Sequence, residues 1–232
     1  MKHYKGVDPG KVRVIYCGGA GRESQIIREN DLLVSFRKKY DLGERFVLSV
    51  APTLPHKNVV RLVEAFGLAV AKNPELNFVL IGRPGRDHQA VVDAVKRLNL
   101  IKKTIFLSDV LSSELVFFYN LAEIFLFPSL YEGFGLPVLE AMACGCPVIT
   151  SNVASLPEVA GDAALLVNPY RTEEIADALK KLLNSRELQE ELKKKGLEQA
   201  ARFSWEKNVQ ETLEVYQEVR DSSQNQLKMT PG

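Results

Sequence analysis

The stretch IFLFPSLYEGFGLPVLEAMACGCPVIT, residues 124–150, changes character twice and then returns to its starting pattern. Its first and last parts are short apolar runs rich in aromatic and β-branched residues, the pattern of strands buried on both faces. Between them, Leu136 to Ala143 has helical composition, with Pro137 in the first turn, where a missing N–H costs nothing. Strand, turn, helix and strand in so short a space imply two parallel strands joined by a crossover helix.

The same alternation extends in both directions. Apolar runs recur at Val12 to Cys17, Phe46 to Ala51, Asn77 to Gly82, Thr104 to Asp109, Ile124 to Ser129, Pro147 to Asn152 and Ala163 to Asn168. Helical patterns separate most of them, at Asn58 to Lys72, Asp87 to Asn99 and Ser113 to Ala122. The fold class is therefore α/β: a doubly wound parallel sheet, Rossmann-like, that begins near Phe46 and places ligands at the carboxyl ends of its strands. After Asn168 come helices alone, at Thr172 to Ser185 with Thr172 as cap, Arg186 to Phe203, and Ser204 to about Val219. In the last of these, Trp205, Val209, Leu213 and Tyr216 recur at helical spacing and read as a docking face. Residues 1–45 read as a linker with one amino-terminal strand, 46–221 as the sheet domain with its carboxyl-terminal helices, and 222–232 as a flexible tail.

Composition excludes several function classes. With 30 Lys and Arg against 29 Asp and Glu, the net charge of +1 gives no global field for nucleic acid or anionic lipid, so any phosphate must be held locally. No apolar run is long enough to span a bilayer and no secretory signal pattern is present, which makes a cytoplasmic location the default. Cys17, Cys144 and Cys146 lack zinc-site spacing and read as reduced packing residues. Lys193, Lys194 and Lys195 follow Glu190 and Glu191 on a solvated helix face, while His3 and His88 read as surface residues and His56 as structural or exposed.

Chemistry concentrates at Tyr131 to Gly135. Gly133 and Gly135 leave the backbone open to a ligand, and the helix start that follows attracts anions. Glu132 stands before that helix and Glu140 about one turn into it, so the two carboxylates bracket the anion site. A phosphate between two acids is repelled unless backbone and a cation hold it, so the carboxylates are suited to accept hydrogen bonds from sugar hydroxyls. The implied ligand is a diphosphate with a sugar on each side.

Glu132 and Glu140, with seven residues between them that begin Gly-Phe-Gly-Leu-Pro, resemble the EX7E motif of glycosyltransferase family 4, whose members have the GT-B fold. The resemblance extends over residues 7–219 and includes Pro55-His56-Lys57-Asn58 after the strand ending near Ala51. It implies that the chain is the carboxyl-terminal, donor-binding domain of a retaining glycosyltransferase. The substrate implied is a nucleoside diphosphate sugar, GDP- or UDP-linked; the Pro-x-Lys-Asn form resembles relatives that use GDP-mannose, and UDP-sugars stay open. Lys57 would face the diphosphate, Glu140 bind ribose, Glu132 contact the transferred sugar, and amides of Phe134, Gly135 and Leu136 hold diphosphate and sugar. Lys57 and Glu132 are the catalytic candidates. Gly133, Gly82 with Arg83, and Val110 after Asp109 complete the donor site. Pro52 replaces an Arg common in relatives, which leaves two readings of Arg83, a substitute phosphate contact or an exposed loop residue.

No Asp-x-Asp occurs, so no metal and no cofactor are expected, and Lys57 with the helix start would stabilise the leaving diphosphate. The expected partner is an amino-terminal acceptor-binding domain, in cis in a longer chain or in trans, and membrane association would come only through it. Alone, the domain is expected to bind donor and turn over slowly or not at all. The alternative is a stand-alone nucleotide-sugar sensor or inactive partner subunit. A dinucleotide site at Gly19-x-Gly21-x-x-Ser24 is disfavoured, because Ser24 replaces the third glycine and no helix pattern follows immediately.

Overall fold

Six of the apolar runs form strands: β1 Arg45–Val50, β2 Leu76–Ile81, β3 Thr104–Leu107, β4 Ile124–Phe127, β5 Val148–Ser151 and β6 Ala164–Val167. They make one sheet, wholly parallel, in the order β3-β2-β1-β4-β5-β6. In this computed structural model the described residues are all except 1–5, 7, 22–23, 72 and 229–232, with only the main chain described for 223–228. His3, Val7 and Lys72 therefore lie outside the described residues.

Parallel strands need crossovers, and the helices between them supply these: α2 Val59–Val70, α3 His88–Arg97, α4 Ser112–Leu121, α5 Leu136–Ala143 and α6 Leu156–Ala160, while α1 Asn30–Lys39 precedes β1 and α7 Thr172–Leu183, α8 Arg186–Ala200 and α9 Trp205–Lys228 follow β6. On one face α2 packs against α3 and α7; on the other α4 packs against α1 and α5, and α5 against α8. The sheet is thus sandwiched, which is why Phe125, Leu126 and Ile149 are fully buried and why its strands read as continuous apolar runs. Helix α2 buries Leu62, Ala65, Phe66 and Ala69, the positions picked out by spacing, and Phe66 meets Phe78 of β2 at 5.4 Å between ring centroids.

Val12 to Cys17 is a correction, because these residues are irregular and join no sheet. The chain divides into two compact units, one of residues 20–202 and one of residues up to 19 together with those from 203 on. In the smaller unit a Cβ on Gly18 would stand 2.2 Å from Trp205, and one on Gly19 would stand 2.4 Å from the Phe203 carbonyl. Tyr16 packs edge-on against Phe203, and Asn208 donates to the Tyr16 carbonyl. Those glycines therefore serve a close chain approach, and the dinucleotide reading fails for want of a preceding strand. The larger unit takes in α1, in the part of residues 1–45 whose sequence reads as linker. Two further differences concern ends: Arg171, not Thr172, stands at the N-cap position of α7 and makes no side-chain capping bond, and α9 runs through residues 222–228, where the sequence reads as a flexible tail.

Candidate functional site

The strand order reverses direction between β1 and β4, whose register sets Val47 opposite Ile124 and Leu48 opposite Phe125. Loops leaving this point diverge to opposite faces of the sheet, so the crevice outside the carboxyl ends is the ligand position of such folds. Both motifs open here: residues 51–58 follow β1 and residues 128–135 follow β4.

Backbone bonds lock the two loops together. Leu130 N–H donates to the His56 carbonyl at 2.7 Å, so His56 contributes its main chain. Asn58 adopts the left-handed conformation, φ 60°, which asparagine tolerates better than branched residues. Its buried amide donates to the carbonyls of Pro128 (3.0 Å) and Pro169 (2.7 Å), tying the loops after β4 and β6 to the start of α2. Gly82 follows β2, where a Cβ would stand 2.2 Å from the Ala51 carbonyl, so only glycine lets those two chains pass.

Lys57 and Glu132 meet inside this frame. Lys57 Nζ donates to Glu132 Oε1 at 2.7 Å, with side chains only 16% and 12% exposed. The ammonium also stands 5.3 Å from the centroid of the Phe127 ring, a cation–π contact from beneath. A cation so positioned is shielded from bulk water but held by a single acid, which is the condition for exchange onto a stronger anion.

The turn beyond Glu132 is shaped by two different glycines. Gly135 takes φ 115°, and a Cβ there would stand 2.7 Å from Leu156, so it sets the backbone entry to α5. Gly133 has nothing within 4 Å of a Cβ, which leaves open space on that side of the turn. Ser155 Oγ lies 3.0 Å from the Glu132 carbonyl and 2.8 Å from the Phe134 carbonyl, sharing its proton between them. Ser-Leu-Pro-Glu at 155–158 carries the signature of a helix start, yet its serine makes no capping bond and braces the turn instead.

Glu140 is half-buried on α5, and Tyr119 of α4 donates to its Oε2 at 2.9 Å. Burial pushes the Glu140 carboxyl up, and the tyrosine bond pulls it back towards the charged form. Burial, reinforced by the neighbouring Glu140, raises the Tyr119 hydroxyl well above its ordinary range, so it stays a donor. Sequence reasoning misses both Tyr119 and Ser155; a tyrosine in the largely apolar run of α4 carries no signal beyond core packing.

The remaining candidates are spread along the same edge. Arg83 is exposed, its carbonyl accepts from Thr53 N–H at 3.3 Å, and its guanidinium has no partner among the described residues. Val110 is half-buried in the loop after the edge strand β3, two strands from β1. Leu136 and Phe134 flank Gly135 at the head of α5. Cys144 and Cys146 are buried free thiols, and burial pushes the Cys144 thiol up to about 12, which suits packing and not nucleophilic chemistry. Among the described residues no cluster of three or more His, Cys, Asp or Glu could hold a metal ion. Nor is any helix among them long and apolar enough to cross a membrane.

Residues 34–199 match the sequence profile described as Glycosyl transferases group 1. The chain belongs to this family. A serotype-specific mannosyltransferase WbdA of Escherichia coli is 34% identical over 217 residues, covering 91% of this chain and 27% of that protein. Among solved structures, a sucrose-phosphate synthase from Thermosynechococcus elongatus superposes with TM-score 0.78 at 27% identity, covering 90% of this chain and 53% of that one. The carboxyl-terminal domain of a group 1 glycosyl transferase, LpcC, from Francisella tularensis superposes with TM-score 0.70 at 26% identity, covering 80% of this chain and 97% of that one. The chain spans about a quarter to a half of the length of the curated relatives it matches. As a group 1 glycosyl transferase chain it has the Rossmann-like half of the GT-B fold, with its two motif acids and Lys57 at the switch point of the sheet.

Proposed function

We propose that this chain is the donor-binding domain of a retaining, metal-independent glycosyltransferase that takes a hexosyl group from a nucleoside diphosphate sugar. The acceptor would be held by an amino-terminal domain, a division supported by the partial coverage of relatives and by the likeness to an isolated carboxyl-terminal domain. The observation that carries the reading is the Lys57–Glu132 pair beside the open turn at Gly133. A diphosphate arriving there takes the ammonium, and Glu132, released, accepts hydrogen bonds from the sugar. As the glycosidic bond breaks, charge grows on the diphosphate oxygens. Lys57 and the amides of Gly135 and Leu136 at the head of α5 meet that charge from fixed positions, since Pro137 has no N–H and Val138 donates to the Gly135 carbonyl; this is electrostatic stabilisation of the leaving group without a metal. Retention rests on family resemblance. Glu140 is placed to accept ribose hydroxyls, and GDP and UDP are the nucleotides to compare.

Thermal shift with UDP, GDP, ADP and TDP tests this. Ligand at 100 times its dissociation constant stabilises by about 2.7 kcal/mol, or about 5–10 °C for a chain of this size. One of UDP and GDP is expected to give that shift and Lys57→Ala to erase it, in a protein that still unfolds cooperatively. No shift with any of the four nucleotides refutes the proposal.

A further inference from the structure

We propose that Tyr119 is a positioning residue for donor recognition: its hydroxyl holds one oxygen of Glu140 so that the other is presented to the ribose hydroxyls of a nucleoside diphosphate. This deepens the reading of Glu140 given above and rests on it.

Tyr119 lies in α4, 1% exposed, with its ring edge-on to Phe125 at 5.4 Å and 77°. Phe125 stacks on Phe127 at 5.6 Å and 17°, and Phe127 lies under the Lys57 ammonium. A column of three buried rings in the sheet core therefore connects the two polar ends of the candidate site, with Glu140 at one end and Lys57 at the other. Rings packed at this density have one position each, so the Tyr119 hydroxyl points at one place.

That place is Glu140 Oε2, at 2.9 Å. Oε1 has no partner among the described residues. A carboxylate has about four lone-pair sites, so fixing one oxygen leaves the other able to accept from two vicinal hydroxyls. A side chain with three rotatable bonds is thereby held in a single pose before ligand arrives, and ordering it then costs binding nothing further.

The competing explanation is that a buried tyrosine hydroxyl needs some partner and Glu140 serves. A backbone carbonyl would serve as well, without drawing a carboxylate into a site where burial disfavours its charge. The arrangement is therefore a poor way to satisfy a hydroxyl and a good way to aim an acid.

Calorimetric titration of the whole chain with the tighter of UDP and GDP, and with its 2′,3′-dideoxy counterpart, separates the two explanations. The wild type is expected to favour the ribonucleotide. Tyr119→Phe should weaken the ribonucleotide about tenfold, equivalent to about 1.4 kcal/mol, and leave the dideoxy nucleotide unchanged. Because the ratio is measured within one protein, a loss of folded fraction cancels from it. In a Glu140→Ala background, Tyr119→Phe should change neither affinity, closing a double-mutant cycle. Equal weakening of both nucleotides, or no weakening of the ribonucleotide, overturns the role of Tyr119 while the donor site stands. A wild type that does not distinguish the two nucleotides sinks the ribose reading of Glu140 and Tyr119 with it.

Discussion

Glu132→Gln should tighten the binding of a bare nucleoside diphosphate while slowing sugar transfer. Lys57 is paired with Glu132 at 2.7 Å, with both side chains largely shielded. At an effective dielectric of about 20, attraction at that distance is about 6 kcal/mol before the lost hydration of both ions is counted. Exposed pairs net about 0–1 kcal/mol and the loss of one partner of a fully buried pair costs about 3–5 kcal/mol, so this partly exposed pair is worth about 1–2 kcal/mol. A diphosphate must displace that interaction to engage the ammonium, and it must also approach a carboxylate of its own sign. With Gln at 132 neither penalty applies, and affinity for UDP or GDP should rise about 5–30-fold. A sugar-bearing donor should gain less, because the same substitution weakens the acceptor of its hydroxyl bonds. Calorimetric titration of wild type and variant with nucleotide alone reads the effect directly. Equal or weaker binding by the variant would show that Lys57 does not change partners, and the proposed exchange would be wrong.

Two other outcomes follow from the same geometry. Because burial raises the Glu140 carboxyl, the folded state holds its proton to higher pH than the unfolded state, and stability is lost as pH climbs through that window. Glu140→Gln should therefore melt higher than wild type at neutral pH, with the difference vanishing below the carboxylate range; a difference independent of pH would assign the effect to packing. Gly135→Ala must accommodate φ 115° and a Leu156 methyl at 2.7 Å, and should cost about 1–3 kcal/mol in urea unfolding. Gly133→Ala meets no atom within 4 Å and should leave stability intact while weakening nucleotide binding, so equal urea midpoints for the two variants would contradict the division of labour.

Much of this architecture was legible because periodicity is a local property. The strands from β1 onward and α5 lay where apolar runs and the glycine–proline start put them, within a residue or two. Val12 to Cys17 misled, since an apolar β-branched run signals a strand only if a sheet edge is available to receive it. Helix α1 escaped notice because its sequence is largely polar, with Phe36 alone buried; its packing on α4 is tertiary. In the site, Glu132, Glu140, Lys57 and the glycines stood out because their chemistry is concentrated in short motifs. The Tyr119 bond, the Ser155 brace and the Asn58 bridge span 21, 23 and 111 residues, distances at which a single sequence offers no pattern to read.

The lysine and its acid are 75 residues apart, and they become neighbours only after β1 and β4 lie side by side with two strands displaced outward. Non-local pairing of this kind closes late and slowly during folding. A chain with β1 paired to β2 but β4 still detached contains every motif residue and has no pocket. Nucleotide capture therefore acts as a checkpoint on topology, reporting that the centre of the sheet has been threaded correctly.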